Sequence, residues 1–328
     1  MTLTQAAQLT KRSLLSLIIL SILGISGLIG YQIWYQNYLK SLPPEEPYAE
    51  ERFGQLPKLN ILAKVVSTSN YTYSLDTTTG GLPSDLPKVL RVYFIPQTGI
   101  SVLAPKKAQE LAKKLGFNLG VEIISQTVYK YTNETGSYMT IDLNTNNFKI
   151  QRVIKVMDGL ESTSSAKPTT STDQVRIVGD FKNFLASKGL LADELNKGIS
   201  KIIDNEINLF PADFAGFKIV TPSLRQSLVR ATLTEVPSEE KYSSINYTYW
   251  IIDKTESSSY KLKKIEDAFN ELKSGRGSII IEPSKIQVSI SNIYLAYYQD
   301  EQYTPYLQPV YVFEGSNFAS FVPAIKYD

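Results

Sequence analysis

From Ser13 to Leu39 the chain carries no charged side chain, and Leu14–Trp34 within it is almost continuously apolar. A helix needs roughly 20 such residues to cross about 30 Å of hydrocarbon. Apolar residues all round the axis leave no face for water. Gly24, Gly27 and Gly30 suit such a helix, and Tyr31, Trp34 and Tyr35 gather where amphipathic rings prefer the headgroup level. The pattern predicts a single transmembrane helix over 13–38, flanked by Lys11 and Arg12 on one side and by Trp34 and Tyr35 on the other. A cleavable signal peptide has an apolar core of only about 7–15 residues followed by a small-x-small site. Here the best such site, Gly24-Ile25-Ser26, lies inside the run, so the segment reads as an uncleaved anchor.

Residues 39–60 hold Pro and charge without a period and predict an extended linker. Beyond them the pattern alternates between periods of two and 3.6. Residues 61–160 predict a first α+β domain. Its strands are Asn70–Asp76, Val89–Ile95, Glu122–Tyr131, Tyr138–Leu143 and Phe148–Val153, the last two joined by a turn at Asn144–Asn147. Its helix opens at Ala104-Pro105, carries the stripe Ala108, Leu111, Ala112 and Leu115, and stops at Gly116. The small polar stretch Leu160–Thr172 predicts a domain boundary. Residues 172–328 predict a second α+β domain. Thr172-Asp173 caps a helix that runs to Lys188 and stops at Gly189, and another helix covers Ala192–Asn205. Strands follow at Gly216–Val220, Ser227–Thr234 and Ile245–Asp253, then a helix over Tyr260–Lys273 closed by Gly275. Ser278–Ile281, Lys285–Tyr298 and Leu307–Glu314 complete the sheet. The predicted fold class is α+β: one N-terminal transmembrane helix, then tandem units of antiparallel sheet with packed helices.

Composition narrows the chemistry. The chain has no cysteine and no histidine, which removes disulfides, thiol nucleophiles, thiolate metal sites, the usual general base and the commonest metal ligand. A net charge of +2 without a Lys/Arg stripe gives no reason to expect nucleic acid as a partner. Asp142-x-Asn144-x-Asn146 has the spacing of half a calcium loop, but Asn147 stands where glycine is needed and Val153 where the bidentate glutamate belongs, so it reads as a hairpin turn. Ser-x-x-Lys at Ser164/Lys167, Ser238/Lys241 and Ser258/Lys261 lacks the companion motifs of an acylation site. Ser274-Gly275-Arg276-Gly277 is too short for a phosphate loop and reads as a helix C-cap. No catalytic, cofactor or metal residue is assigned. Tyr294, Tyr297, Tyr298 and Tyr311 alternate between sheet faces, and an exposed subset of them would suit a protein partner, since Tyr is enriched at interfaces.

The C-terminal stretch adds a resemblance. A helix bearing Ala268-Phe269 and Leu272, a glycine turn, the strand Ile293-x-Leu295-x-Tyr297 and the strand Pro309-Val-Tyr-Val-Phe313 resemble the extracytoplasmic domains of YycH and YycI and the related PepSY-like modules. Tyr311 and Phe313 stand where that pattern has a Trp. The resemblance covers the last 70 residues or so together with the single anchor. It implies a helix-on-sheet fold and a single-pass accessory protein acting on a sensor histidine kinase. Anchor, composition and resemblance together predict a non-catalytic binding or regulatory protein of the cell envelope. Leu14–Trp34 would lie in the bilayer, 1–12 in the cytoplasm and the remainder outside, with other envelope or membrane proteins as partners. A structural subunit of an envelope assembly, pilus-alignment-like, and a hydrolase working through paired carboxylates are the alternatives.

Overall fold

The structure, a computed structural model, describes residues 24–35, 48–61, 71–97, 99, 101–156 and 170–327. The chain divides into two units, Met1–Pro47 and Tyr48–Asp328. In the first, residues 24–35 form a helix, α1, and each of its described residues is exposed. No helix among the described residues is long and apolar enough to cross a membrane. Residues 13–23 and 36–38 of the predicted span lie outside the described residues.

In the second unit the linker predicted over 39–60 ends early. Leu56, Leu59 and Ile61 are buried, and the Gln308 side-chain amide donates to the Pro57 carbonyl at 2.9 Å. Apolar side chains at this spacing join the core wherever a sheet face is open to receive them.

Strands β1 (Thr72–Leu75) and β2 (Val89–Phe94) lead to helix α2 (Ala104–Lys114), followed by β3 (Gly120–Ile123), β4 (Val128–Thr132), β5 (Tyr138–Asp142) and β6 (Phe148–Gln151). Then come α3 (Ser171–Ser187), α4 (Asp193–Lys197), β7 (Ser200–Ile203), β8 (Glu206–Leu209), β9 (Lys218–Val220), β10 (Val229–Leu233), β11 (Tyr242–Tyr247) and β12 (Asp253–Lys261). Helix α5 (Ile265–Lys273) precedes β13 (Ser278–Ile281), β14 (Gln287–Ile290), β15 (Asn292–Tyr298), β16 (Tyr306–Gly315) and β17 (Phe318–Pro323). The class is α+β, rich in sheet.

The larger sheet runs β3-β4-β5-β6-β11-β10-β8-β7, with every pairing antiparallel. Its registers align the apolar row Val121, Tyr131, Met139, Ile150, Ile245, Ala231, Ile207 and Ile202. One residue along, the same strands align Glu122, Lys130, Thr140, Lys149, Asn246, Arg230, Asn208 and Lys201. A period of two thus sorts one face for the core and the other for polar contacts. Helices α2 and α3 cover the apolar face through Ala108, Ala112, Phe181 and Leu185. Burying a side chain the size of Phe181 or Leu185 contributes about 1.5–3 kcal/mol.

The smaller sheet runs β12-β2-β16-β15-β9, with β17 pairing β13 and β16, and α5 packs Ile265, Ala268 and Leu272 against it. A separate parallel pair joins β1 to β14. Sheet membership therefore does not follow the division at Leu160–Thr172: β6, before it, pairs with β11, after it, and β2 pairs with β12 and β16.

Several boundaries also move. The cap of α3 is Thr170, whose Oγ1 accepts from the Asp173 backbone N–H at 3.1 Å. The helix predicted over Ala192–Asn205 stops at Lys197, because Asp204 and Asn205, at φ 48° and 66°, turn β7 into β8 as a two-residue hairpin. The predicted Lys285–Tyr298 strand breaks at Ser291, which lets β14 reach β1 while β15 reaches β16 and β9. The stretch predicted as Ile245–Asp253 is strand only to Tyr247.

Candidate functional site

Residues 249–252, between β11 and β12, form one wall of a cleft of about 260 Å³. Helix α4 supplies Glu194, Phe214 and Ile219 come from the chain around β9, Tyr249 and Trp250 come from the wall itself, and Lys254 comes from the start of β12. Two bonds aim this wall. The Tyr249 backbone N–H donates to Asn147 Oδ1 at 2.9 Å, and Trp250 Nε1 donates to the Asp300 carbonyl at 2.7 Å.

The polar centre is a triad. Tyr249 Oη donates to Glu194 Oε2 at 2.9 Å, and Lys254 Nζ donates to Glu194 Oε1 at 3.1 Å. Lys254 Nζ also stands 6.0 Å from the Phe214 ring centroid, within reach of a cation–π attraction. Glu194's own backbone N–H, then the Tyr249 hydroxyl and Lys254, hold its carboxyl below the usual carboxylate range despite partial burial. Burial first, and the Glu194 carboxylate second, push the Tyr249 phenol up. Among the described residues, Glu194 is the one acidic side chain lining this cleft. A carboxylate held ionised is a hydrogen-bond acceptor at neutral pH and a poor proton donor. The geometry therefore suits binding: an apolar floor, a fixed negative charge and a lysine whose side chain is mostly exposed.

On the polar face of the larger sheet lies a smaller hollow of about 170 Å³. Arg230 Nη1 and Nη2 each reach Glu301 Oε1 at 3.3 Å, Lys149 Nζ reaches Glu301 Oε2 at 3.4 Å, and Gln226 Nε2 donates to Glu206 Oε2 at 3.1 Å. Glu301 belongs to the β15–β16 connection, so this network ties the two sheets together.

The residues assigned from sequence are dispersed. Lys11 and Arg12 lie outside the described residues. Trp34 and Tyr35 are exposed at the end of α1, and Tyr31 stacks on Tyr35 with centroids 6.0 Å apart. Tyr297, Tyr298 and Tyr311 are buried and so offer no partner surface. Both faces of β15 are covered, which buries Tyr297 among Tyr93, Phe214 and Trp250 and its neighbour Tyr298 among Val310 and Phe321. Their hydroxyls are engaged, Tyr297 to the Arg91 carbonyl at 2.7 Å and Tyr311 to the Lys263 carbonyl at 2.6 Å. Tyr294 is half-buried under Lys218, whose Nζ is 5.1 Å from its ring centroid.

The Asp142–Asn147 stretch is a turn, with Asp142 Oδ1 accepting the Asn144 N–H at 2.7 Å. Ser238 and Ser258 accept from the backbone N–H groups of Glu240 and Arg52, while Ser164 and Lys167 lie outside the described residues. Glu194, Tyr249 and Lys254 carry no sequence signature. The nearest signal is the aromatic run Tyr247–Trp250, which reads equally well as a strand.

No family model matches the chain, and no curated protein matches it. Among solved structures it is similar to an uncharacterized protein from Eubacterium rectale ATCC 33656, at 14% identity over 90% of this chain and 97% of that one, with a TM-score of 0.34. A likeness at that level carries no argument about fold or function.

Proposed function

We propose that this chain is a binding or regulatory protein of the cell envelope. Leu14–Trp34 holds it in the bilayer, residues 1–12 face the cytoplasm, and the unit from Tyr48 onward stands outside and engages another envelope or membrane protein. The observation that carries the reading is α1. Ile25, Leu28, Ile29 and Ile33 all present their side chains outward, and a contiguous apolar surface of that kind calls for an apolar surrounding. A helix continuing this pattern back to Leu14 would have the length a bilayer requires. Binding is favoured over catalysis by the cleft beside Glu194, where one carboxylate is kept ionised by Tyr249 and Lys254. The C-terminal resemblance supports a sensor kinase as the class of partner.

The test is made on cells producing the full chain. Alkaline carbonate should leave the protein in the membrane pellet, and protease added to intact cells should remove the bulk of it. Release by carbonate, or protection that is lost only on lysis, overturns the assignment.

A further inference from the structure

We propose that the cleft beside Glu194 takes a short peptide segment through one apolar side chain, with Gln299 bonding the main-chain amide next to it. The inference rests on the binding role proposed above and names what the partner would present. Gln299 follows β15 directly and lines the cleft. Its place is fixed from two sides. The Gln299 backbone N–H donates to the Val220 carbonyl at 2.9 Å, and the carbonyl of the next residue, Asp300, accepts from Trp250 Nε1 at 2.7 Å. Gln299 is only 7% exposed, yet its side-chain amide has no hydrogen-bond partner among the described residues. A buried amide in that state costs stability. A carboxamide both donates and accepts, and the group that answers it in a protein partner is a peptide amide.

Charge, polarity and size each narrow the ligand. Among the described residues, Glu194 and Lys254 are the charged side chains of the lining, and they are already joined at 3.1 Å. The lining is therefore neutral as a whole, and an ionic ligand would have to open that pair. A wholly apolar ligand would cover Phe214, Ile219 and Ile252 but shut the Gln299 amide off from water without giving it a partner. The volume of about 260 Å³ falls below the roughly 300–1,000 Å³ of sites for drug-sized ligands. It suits one side chain with its flanking amides. Residues 249–252 belong to no strand, so the backbone of that wall is not committed to a ladder when a segment lies along it.

The chain's two tryptophans, Trp34 and Trp250, make the cleft directly readable. Full-length protein labelled with fluorotryptophan, in detergent micelles, should give two fluorine NMR resonances, assigned with Trp34→Phe. N-acetyl-leucine methylamide, the probe, should shift the Trp250 resonance saturably at millimolar concentration and leave that of Trp34 in place. N-acetyl-glycine methylamide, which lacks the side chain, should shift neither. Gln299→Leu should weaken the probe about five- to tenfold, the loss of one hydrogen bond. Its urea midpoint should stay level or rise, because the amide has no internal partner to lose. No saturable shift of Trp250 overturns the proposal and leaves standing the membrane assignment, which carbonate extraction and protease test separately. A Gln299→Leu protein that binds the probe as tightly as the parent, or that loses stability, overturns it too. Free leucine binding more tightly than the capped probe would make the ligand a zwitterion held by Glu194 and Lys254, and so overturns the peptide.

Discussion

A methyl group on Gly198 would sit 1.9 Å from the carbonyl oxygen of Phe210 and 2.7 Å from the backbone nitrogen of Ala212. The residue has an ordinary φ of −76°, so space and not conformation demands glycine here. Gly198→Ala should destabilise the protein by about 3 kcal/mol, the upper range for overpacking, because a backbone atom cannot rotate away. Urea unfolding measures it, and a loss under about 1 kcal/mol would show that the 210–212 segment can shift. Because Pro211 lines the cleft and the Ala212 N–H donates to the Glu194 carbonyl at 2.9 Å, the same variant should disturb the triad. Glu194 titrates in a defined direction. Its folded-state value is depressed, so its contribution to stability is present above the unfolded value of about 4.3 and is lost as pH falls through the lower folded value. Tyr249→Phe removes one donor to the carboxylate and should move the Glu194 titration upward. A carbon-detected NMR titration that leaves it in place would show that the hydroxyl does not hold the carboxylate.

The glycine-closed C-terminal ends of helices are the features most legible in this sequence, and the reason is local. The helices α2, α3 and α5 end in one motif, with Gly116, Gly189 and Gly275 at φ of 91°, 74° and 80°. In α2 the Gly116 N–H donates to the Lys113 carbonyl and the Phe117 N–H to that of Ala112. In α3 the donors Gly189 and Leu190 meet Ala186 and Leu185, and in α5 Gly275 and Arg276 meet Leu272 and Glu271. Each is a closure that needs a left-handed residue, so glycine marks it in the sequence. A Cβ at Gly116 or Gly189 meets nothing within 4 Å, which leaves the backbone cost alone. Gly116→Ala and Gly189→Ala should each lose about 1–2 kcal/mol, with asparagine at the same position losing less. Denaturant titration reads both, and an alanine as stable as the parent would deny the left-handed cap. The strand ends were less legible for a matching reason. Lys285–Tyr298 is apolar at alternate positions on both sides of Ser291, and the break there is imposed by two different neighbours, β1 and β16. The tyrosines of β15 misled in the same way, since alternation predicts one open face and both faces of that strand are covered.

At the scale of the whole molecule the chain order and the sheet order part company. Periodicity reports whether a residue faces a core, and it carries no record of which distant strand lies alongside. The pairing of β1 with β14 brings Thr72–Leu75 beside Gln287–Ile290, and β2 is held by β12 and β16. Such contacts are specified only by the joint fit of both faces and cost the closure of long loops. A reading made along the chain therefore divides at the most polar stretch, Leu160–Thr172, although the larger sheet draws β3–β6 from before it and β7, β8, β10 and β11 from after it. The two halves of that sheet share one apolar face under α2 and α3, and the Glu301–Arg230 contact ties the smaller sheet to strands of the second half. A protease site built into residues 160–169 discriminates between the two arrangements. Two autonomous domains would separate once cut. An interleaved molecule should stay together: the fragments should co-elute under native conditions, give an unfolding midpoint within a few degrees of the uncut chain, and part only in denaturant. Fragments that separate without denaturant and keep their strand signal would overturn the pairing of β6 with β11.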